Sequence, residues 1–237
     1  MIVNQAIIFA GGKGTRLKEI IKDTPKPLVK INSKPFLTLL IRKLYLNHIK
    51  KITLIVGPYK KNYQEFLLKE RFNSINIIED IKQIGTANAI FKCKENLDKN
   101  FFLLNGDSFC NENILKMNIS FRSIPKVKNL MLVKRINNPK RYGKVLINNK
   151  RLVKNLYEKN NKIAGYINLG VYLLNKKILF NHLNNNSKSF EKDCLRKLIK
   201  KQLMNCFVTN KEFIDIGTVN SYKFSKVFFK KIGLKDS

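Results

Sequence analysis

No stretch of the 237 residues stays apolar for long enough to cross a membrane. The most apolar segments, Phe36 to Leu46 and Ile163 to Leu174, are broken by Arg, Lys or Asn well short of the roughly 20 residues a span requires. No stable membrane insertion is therefore expected. The opening run MIVNQAIIFAGG has neither a basic region nor a small-residue cleavage site, so no secretory signal is expected and the cytoplasm is the expected location. Cys93, Cys110, Cys194 and Cys206 form no CxxC pair, and His48 and His182 lie far apart in sequence. That spacing argues against a zinc site and leaves buried thiols in a reducing compartment. Internal repeats and linkers rich in Pro, Gly or Ser are missing as well, which predicts one domain spanning 1–237.

Acidic residues are scarce: 16 Asp and Glu against 47 Lys and Arg, a formal charge of +31. Such an excess invites a nucleic-acid partner. The lysines, however, are dispersed, carry no interleaved stacking aromatics, and travel with about 30 asparagines and a similar number of isoleucines, as in an AT-rich genome. No nucleic-acid partner is expected. The charge does predict attraction of polyphosphates, and it makes each acid at a strand end informative.

Read along the chain, Gln5 to Ala10 is a short buried strand stopped by Gly11-Gly12. Apolar spacing predicts a helix from Phe36 to Asn47 capped by Ser33, a strand at Lys51 to Gly57, and a helix at Tyr63 to Phe72. A strand at Ile75 to Ile78, a helix at Thr86 to Leu97 and a strand at Phe101 to Asn105 repeat the alternation. Such alternation predicts a largely parallel sheet with right-handed crossovers. After about residue 125 the texture changes to short strands at Leu130 to Ile136, Lys144 to Ile147, Leu152 to Tyr157 and Tyr166 to Leu174, an antiparallel addition. Helices at Phe190 to Leu203, capped by Ser189, and Val219 to Ile232 close the chain.

Three features carry chemistry. Ala10-Gly11-Gly12-Lys13-Gly14-Thr15-Arg16-Leu17 follows the first strand directly, where glycines let the backbone turn and present N–H groups to an anion. It is neither a Walker A loop, since Lys13 is followed by Gly14, nor a GxGxxG fingerprint, since Leu17 stands at the last position. Lys26 stands between Pro25 and Pro27, whose fixed φ angles suit a cation that must be held in place. Asp107 ends an apolar strand, and Asp215 follows another apolar pair; two such carboxylates could share one Mg²⁺. A solvated turn or a helix cap is the plain alternative for each, Asp107-Ser108 preceding a candidate short helix.

Taken in order, GGKGTRL, PKPL and Ser33-Lys34-Pro35-Phe36-Leu37 closely resemble the start of the sugar-1-phosphate nucleotidyltransferases. Gly85-Thr86-Ala87, Asn105-Gly106-Asp107, Tyr142-Gly143, Glu158-Lys159, Ile167 to Tyr172, Ser189-Phe190-Glu191 and Phe213 to Thr218 continue the likeness over about 210 residues. The short chain, the SFE segment and the FIDIG ending resemble the heptose 1-phosphate guanylyltransferase branch of the family.

The resemblance implies an α/β fold of the GT-A-like, Rossmann-like nucleotidyltransferase type: a mixed, mostly parallel sheet flanked by helices with a small antiparallel section. It also implies a nucleotide-binding part at about 1–125 and a sugar-phosphate part at about 126–237. The implied reaction takes an NTP and a sugar 1-phosphate to an NDP-sugar and pyrophosphate, with Mg²⁺ as cofactor. Arg16 and Lys26 are the implied catalytic residues; Ala10, Gly11, Gly12, Gly14, Thr15, Arg16, Gly85 and Thr86 would bind nucleotide. Gly143, Glu158, Lys159 and Asn168 would bind the acceptor, and Asp107 and Asp215 the metal. The chain departs from the family pattern at Gln83-Ile84, Asn88 and Leu169, near where base and sugar are expected, so specificity is less legible than reaction type. Gln83 or Glu79 would be candidates to read the base. Another NTP and acceptor, a CTP-dependent non-sugar phosphate, or a nucleotide-binding homologue without turnover stay open, as does a homo-oligomer.

Overall fold

A computed structural model describes residues 2–12, 14, 17, 24–82, 85–124, 129–139, 141–157, 163–184 and 187–233. In chain order the elements are β1 (Gln5–Phe9), a 3-10 turn (Lys26–Leu28), β2 (Lys30–Ile31), β3 (Lys34–Pro35), α1 (Phe36–Leu46), β4 (Lys51–Val56), α2 (Lys60–Lys69) and β5 (Ile75–Glu79). There follow α3 (Thr86–Lys92), β6 (Asn100–Asn105), β7 (Ser108–Cys110), α4 (Leu115–Ser123), β8 (Leu130–Ile136), β9 (Lys144–Ile147), β10 (Val153–Tyr157) and β11 (Gly165–Asn175). The chain closes with α5 (Lys176–Phe180), a π-helical turn (Phe190–Leu195), α6 (Arg196–Lys200), β12 (Asn205–Thr209), β13 (Phe213–Asp215) and α7 (Val219–Lys231). The fold is the expected mixed α/β arrangement, a mostly parallel sheet with antiparallel strands added.

The chain forms two compact units. One, here the loop unit, comprises Ala6–Gln83, Leu104–Asn111 and Glu212–Ser237; the other, the hairpin unit, comprises Met1–Gln5, Ile84–Leu103 and Glu112–Lys211.

In the loop unit, β4 and β5 pair in parallel from Ile52↔Ile75 to Val56↔Glu79, and β1 lies on the other side of β4. The end of β6 meets β1 where the Gly106 N–H donates to Phe9 O at 2.9 Å. Phe36 of α1 and Phe109 of β7 both pack edge-on against Phe229 of α7, at 6.0 and 4.9 Å between ring centres. All three rings are buried, a large part of this unit's apolar core. Gly106 has no room for a side chain, since a Cβ there would lie 2.5 Å from Phe9 O. Gly106→Ala is expected to cost about 1–3 kcal/mol through this backbone overlap; an unchanged thermal midpoint would contradict the close approach.

In the hairpin unit, strand order runs β10-β9-β11-β6, with β8 on β11 and β12 on β8. The β10/β9, β9/β11 and β11/β8 pairs are antiparallel and β8/β12 is parallel. The register of β11 on β8 shifts between Asn168 and Tyr172, where Gly170 has φ 70°, a conformation that favours glycine.

Several local expectations are corrected. Ser33 does not cap α1: it sits in the turn between β2 and β3, where Asn32 has φ 56°, and the helix starts after Pro35 with no side-chain cap. Lys60, not Tyr63, opens α2. The helix foreseen from Thr86 to Leu97 ends at Lys92, with a 3-10 turn Lys94–Asn96 after it. Ser189 does cap its helix, accepting the Lys192 N–H at 3.1 Å, but the first turns are π-helical and the α-helical part ends at Lys200. The segment after Asp107 is strand β7 and not a helix, because β13 pairs with it from Phe213↔Cys110 to Asp215↔Ser108.

Candidate active site

Lys26 opens the 3-10 turn, with Pro25 at φ −56° before it and the Leu28 N–H returning to Pro25 O at 2.8 Å. This rigid frame delivers the Lys26 ammonium to Asp107 Oδ2, where it donates a hydrogen bond. The lysine side chain is only 12% exposed, so its charge is held largely out of water against that carboxylate. Asp107 follows β6 directly; its other oxygen accepts from Ser108 Oγ at 3.1 Å.

Asp215 reaches the same place from β13. Its register partner is Ser108, the next residue's N–H, on Ile216, donates to Asp107 O at 2.9 Å, and Asp215 Oδ1 accepts from the Gly217 N–H at 2.8 Å. A Cβ at Gly217 would lie 2.6 Å from that oxygen and 3.7 Å from Lys26 Nζ. Any side chain at this position would therefore collide with the Asp215 carboxylate and crowd the Lys26 ammonium. Lys26 and Asp107 are joined directly, and Asp215 stands beside them through β13 and Gly217; the close packing at Gly106 and Gly217 is what the motifs left unread.

The donor set suits a small hard cation. Asp107, in the turn just before β7, and Asp215, at the end of its antiparallel partner β13, flank a site that in this structure already draws an ammonium group, and Mg²⁺ is commonly held by one or two carboxylates with water and phosphate oxygens completing its shell. No group of three or more His, Cys, Asp or Glu suited to a metal occurs among the described residues.

The glycine loop begins where β1 ends. Ala10 N donates to Ile55 O at 2.7 Å, and Ala10 O accepts the Tyr63 hydroxyl at 2.6 Å. A Cβ on Gly11 would stand 2.9 Å from Gly57 N, so the loop starts hard against the end of β4. At Gly12 a Cβ would meet nothing within 4 Å, and Gly14 has φ 60°. Thr15, Arg16, Glu158, Lys159 and Gln83 lie outside the described residues.

The other candidates belong to the hairpin unit. Gly85 has φ 144°, and a Cβ there would lie 2.0 Å from Lys188 O. Thr86 Oγ1 accepts from Phe190 N at 2.8 Å, and Ala87 N donates to Lys188 O at 3.0 Å. The Gly85-Thr86 turn is thus built against the 188–190 segment. That segment is folded by Asp193, which accepts the Ser189 and Lys188 N–H groups; these hydrogen bonds hold its carboxyl below the usual range.

Gly143 approaches Tyr157 O, 2.8 Å from where its Cβ would be. Asn168 is fixed at both ends of its amide, donating to Tyr172 Oη at 2.5 Å and accepting from Gly170 N at 3.0 Å. Complete burial, with the Glu191 carboxylate adding to it, pushes the Tyr172 phenol well up, so it stays a protonated anchor for Asn168.

An α/β scaffold bearing a glycine loop, a framed lysine and two convergent aspartates defines a phosphate-handling enzyme, and comparison with known proteins says which kind. The family model described as nucleotidyl transferase matches residues 5–230, and the chain belongs to that family. The D-glycero-alpha-D-manno-heptose 1-phosphate guanylyltransferase of Campylobacter jejuni is 36% identical over 220 residues, 92% of this chain and 96% of its own. Its namesake from Aneurinibacillus thermoaerophilus is 32% identical over 92% of this chain and 95% of its own. HddC from Yersinia pseudotuberculosis, solved in complex with GMP-PN, superposes with a TM-score of 0.83 at 30% identity, covering 97% of this chain and all of that one. No described helix is long and apolar enough to cross a membrane.

Proposed function

We propose that the chain joins GTP and D-glycero-α-D-manno-heptose 1-phosphate to give the GDP-sugar and pyrophosphate, in the cytoplasm, for surface polysaccharide synthesis. The Lys26–Asp107 pair beside Asp215 is the observation that carries the chemistry; the shared names of the full-length relatives support the substrates.

In this reaction an oxygen of the sugar phosphate attacks the α-phosphorus of the nucleotide. The bond from that phosphorus to the bridging oxygen breaks, and pyrophosphate leaves. The attacking phosphate is already ionised, so no general base is needed. Repulsion between two polyanions is the main barrier, with orientation second. Lys26, pinned by its prolines, offsets charge at the α-phosphate. Backbone N–H groups of Gly11, Gly12 and Gly14 hold the triphosphate, the Ala10 N–H being committed to Ile55 O, and Arg16 pairs with its outer oxygens through a planar fork. Asp107 and Asp215 would hold Mg²⁺, which supplies neutralisation of phosphate charge when bound. Lys159 takes the acceptor phosphate, and Glu158, Gly143 and the immobilised Asn168 contact the sugar.

The test is pyrophosphate release across GTP, CTP, UTP, dTTP and ATP with heptose, mannose, glucose and N-acetylglucosamine 1-phosphates. GTP with the heptose phosphate is expected to give the highest kcat/KM. A different preferred pair would overturn the substrate assignment while leaving the reaction type standing.

A further inference from the structure

The structure assigns a role to Tyr63, a residue outside every motif of the site: we infer that its hydroxyl is the positioning group for the nucleotide loop. Tyr63 lies on α2, is fully buried, and donates to the carbonyl of Ala10 at 2.6 Å. Ala10 is the last residue before Gly11-Gly12, and its own N–H is tied to Ile55 of β4. The first peptide of the loop is thereby gripped from two elements.

The physical consequence follows from peptide planarity. The Ala10 carbonyl and the Gly11 N–H belong to one rigid plane and point in opposite directions. Fixing the carbonyl therefore fixes the direction of the N–H and the heading of the chain into the loop. Gly57 completes the fixture by leaving room only for a glycine at position 11.

Packing alone would be met by phenylalanine on α2. A phenol buried there has to find an acceptor, and the acceptor it finds is the carbonyl at the entrance to the loop. Burial, with a smaller contribution from Tyr59, pushes the Tyr63 hydroxyl far above its ordinary range. It therefore stays protonated, and a donor, at neutral pH. This device sets affinity for the triphosphate and leaves the reacting atoms alone.

The inference rests on the reading of the loop as the triphosphate site. Its test is Tyr63→Phe, which keeps the ring and removes only the donor. Affinity for GTP, KM for GTP and for the sugar phosphate, kcat and thermal midpoint are measured with wild type in parallel. The expected result is a GTP Kd and KM raised about tenfold, consistent with a buried acceptor losing its partner, with sugar-phosphate KM unchanged and kcat within about threefold.

Phe66→Leu, a change on the same helix at a buried ring that packs against Phe72, controls for general loosening and is expected to leave GTP affinity alone. Unchanged GTP affinity in Tyr63→Phe, with or without a lower midpoint, would overturn the inference, as would an equal loss in Phe66→Leu. Wild type that binds no nucleoside triphosphate would overturn the loop reading itself, which separates the two failures.

Discussion

Asp107→Asn is expected to lower kcat by roughly 10³-fold while the protein remains folded, an effect on the scale of removing a preorganised electrostatic group from a reaction centre. The substitution keeps the shape of the side chain and the acceptor for Ser108 Oγ, so β6 and the β7/β13 pair have no reason to rearrange. What it removes is one negative charge. That charge serves two partners: it holds the Lys26 ammonium, and with Asp215 it makes the pair of hard oxygen donors that fits Mg²⁺. Removal of divalent cation from wild type should reproduce the loss, and adding it back should restore turnover only in wild type. Wild-type rates from Asp107→Asn, or full turnover in a strong chelator, would remove the metal role from this carboxylate.

Lys26→Ala should depress kcat by about 10²–10³-fold, with KM for the nucleotide moved much less, because in the proposed mechanism the cation acts on charge that grows during transfer. Lys26→Arg should rescue poorly. The frame of Pro25 and Pro27 fits a compact point charge on a flexible stem, and a planar guanidinium needs different geometry at Asp107. Comparison of kcat, KM and thermal midpoint checks this. A variant as active as wild type would contradict it, and so would one whose loss of activity is matched by a collapse in stability.

The parts of the fold legible in the sequence were those set by local pattern. The alternation of buried strands and amphipathic helices from Gln5 to Asn105 gave the parallel section, and the short strands after Leu130 gave the antiparallel one. The elements missed were short or dictated by distant partners. The strand β7 is extended because β13, about 100 residues later, pairs with it. Neither β12 nor α5 has enough periodicity to stand alone.

At the candidate site, Lys26, Asp107 and Asp215 could be singled out because unusual residue types stand at strand ends or between prolines and fall on motifs of the resemblance. Tyr63, Gly106 and Gly217 could not: a tyrosine on an amphipathic helix reads as core, and the need for a glycine depends on which backbone or carboxylate lies opposite. Gly85 shows the same limit from the other side, because its missing side chain is matched by the carbonyl of Lys188, a partner about 100 residues away.

The measurement that tests the central claim most directly is product stoichiometry. Wild-type protein is incubated with Mg²⁺, GTP and the heptose 1-phosphate, and GDP-sugar and pyrophosphate are quantified together, with Asp107→Asn as the blank. Nucleotidyl transfer at the Lys26–Asp107–Asp215 cluster requires the two products in equal amounts and almost none from the variant. Release of inorganic phosphate or GMP without a GDP-sugar, or equal yields from wild type and Asp107→Asn, would contradict it.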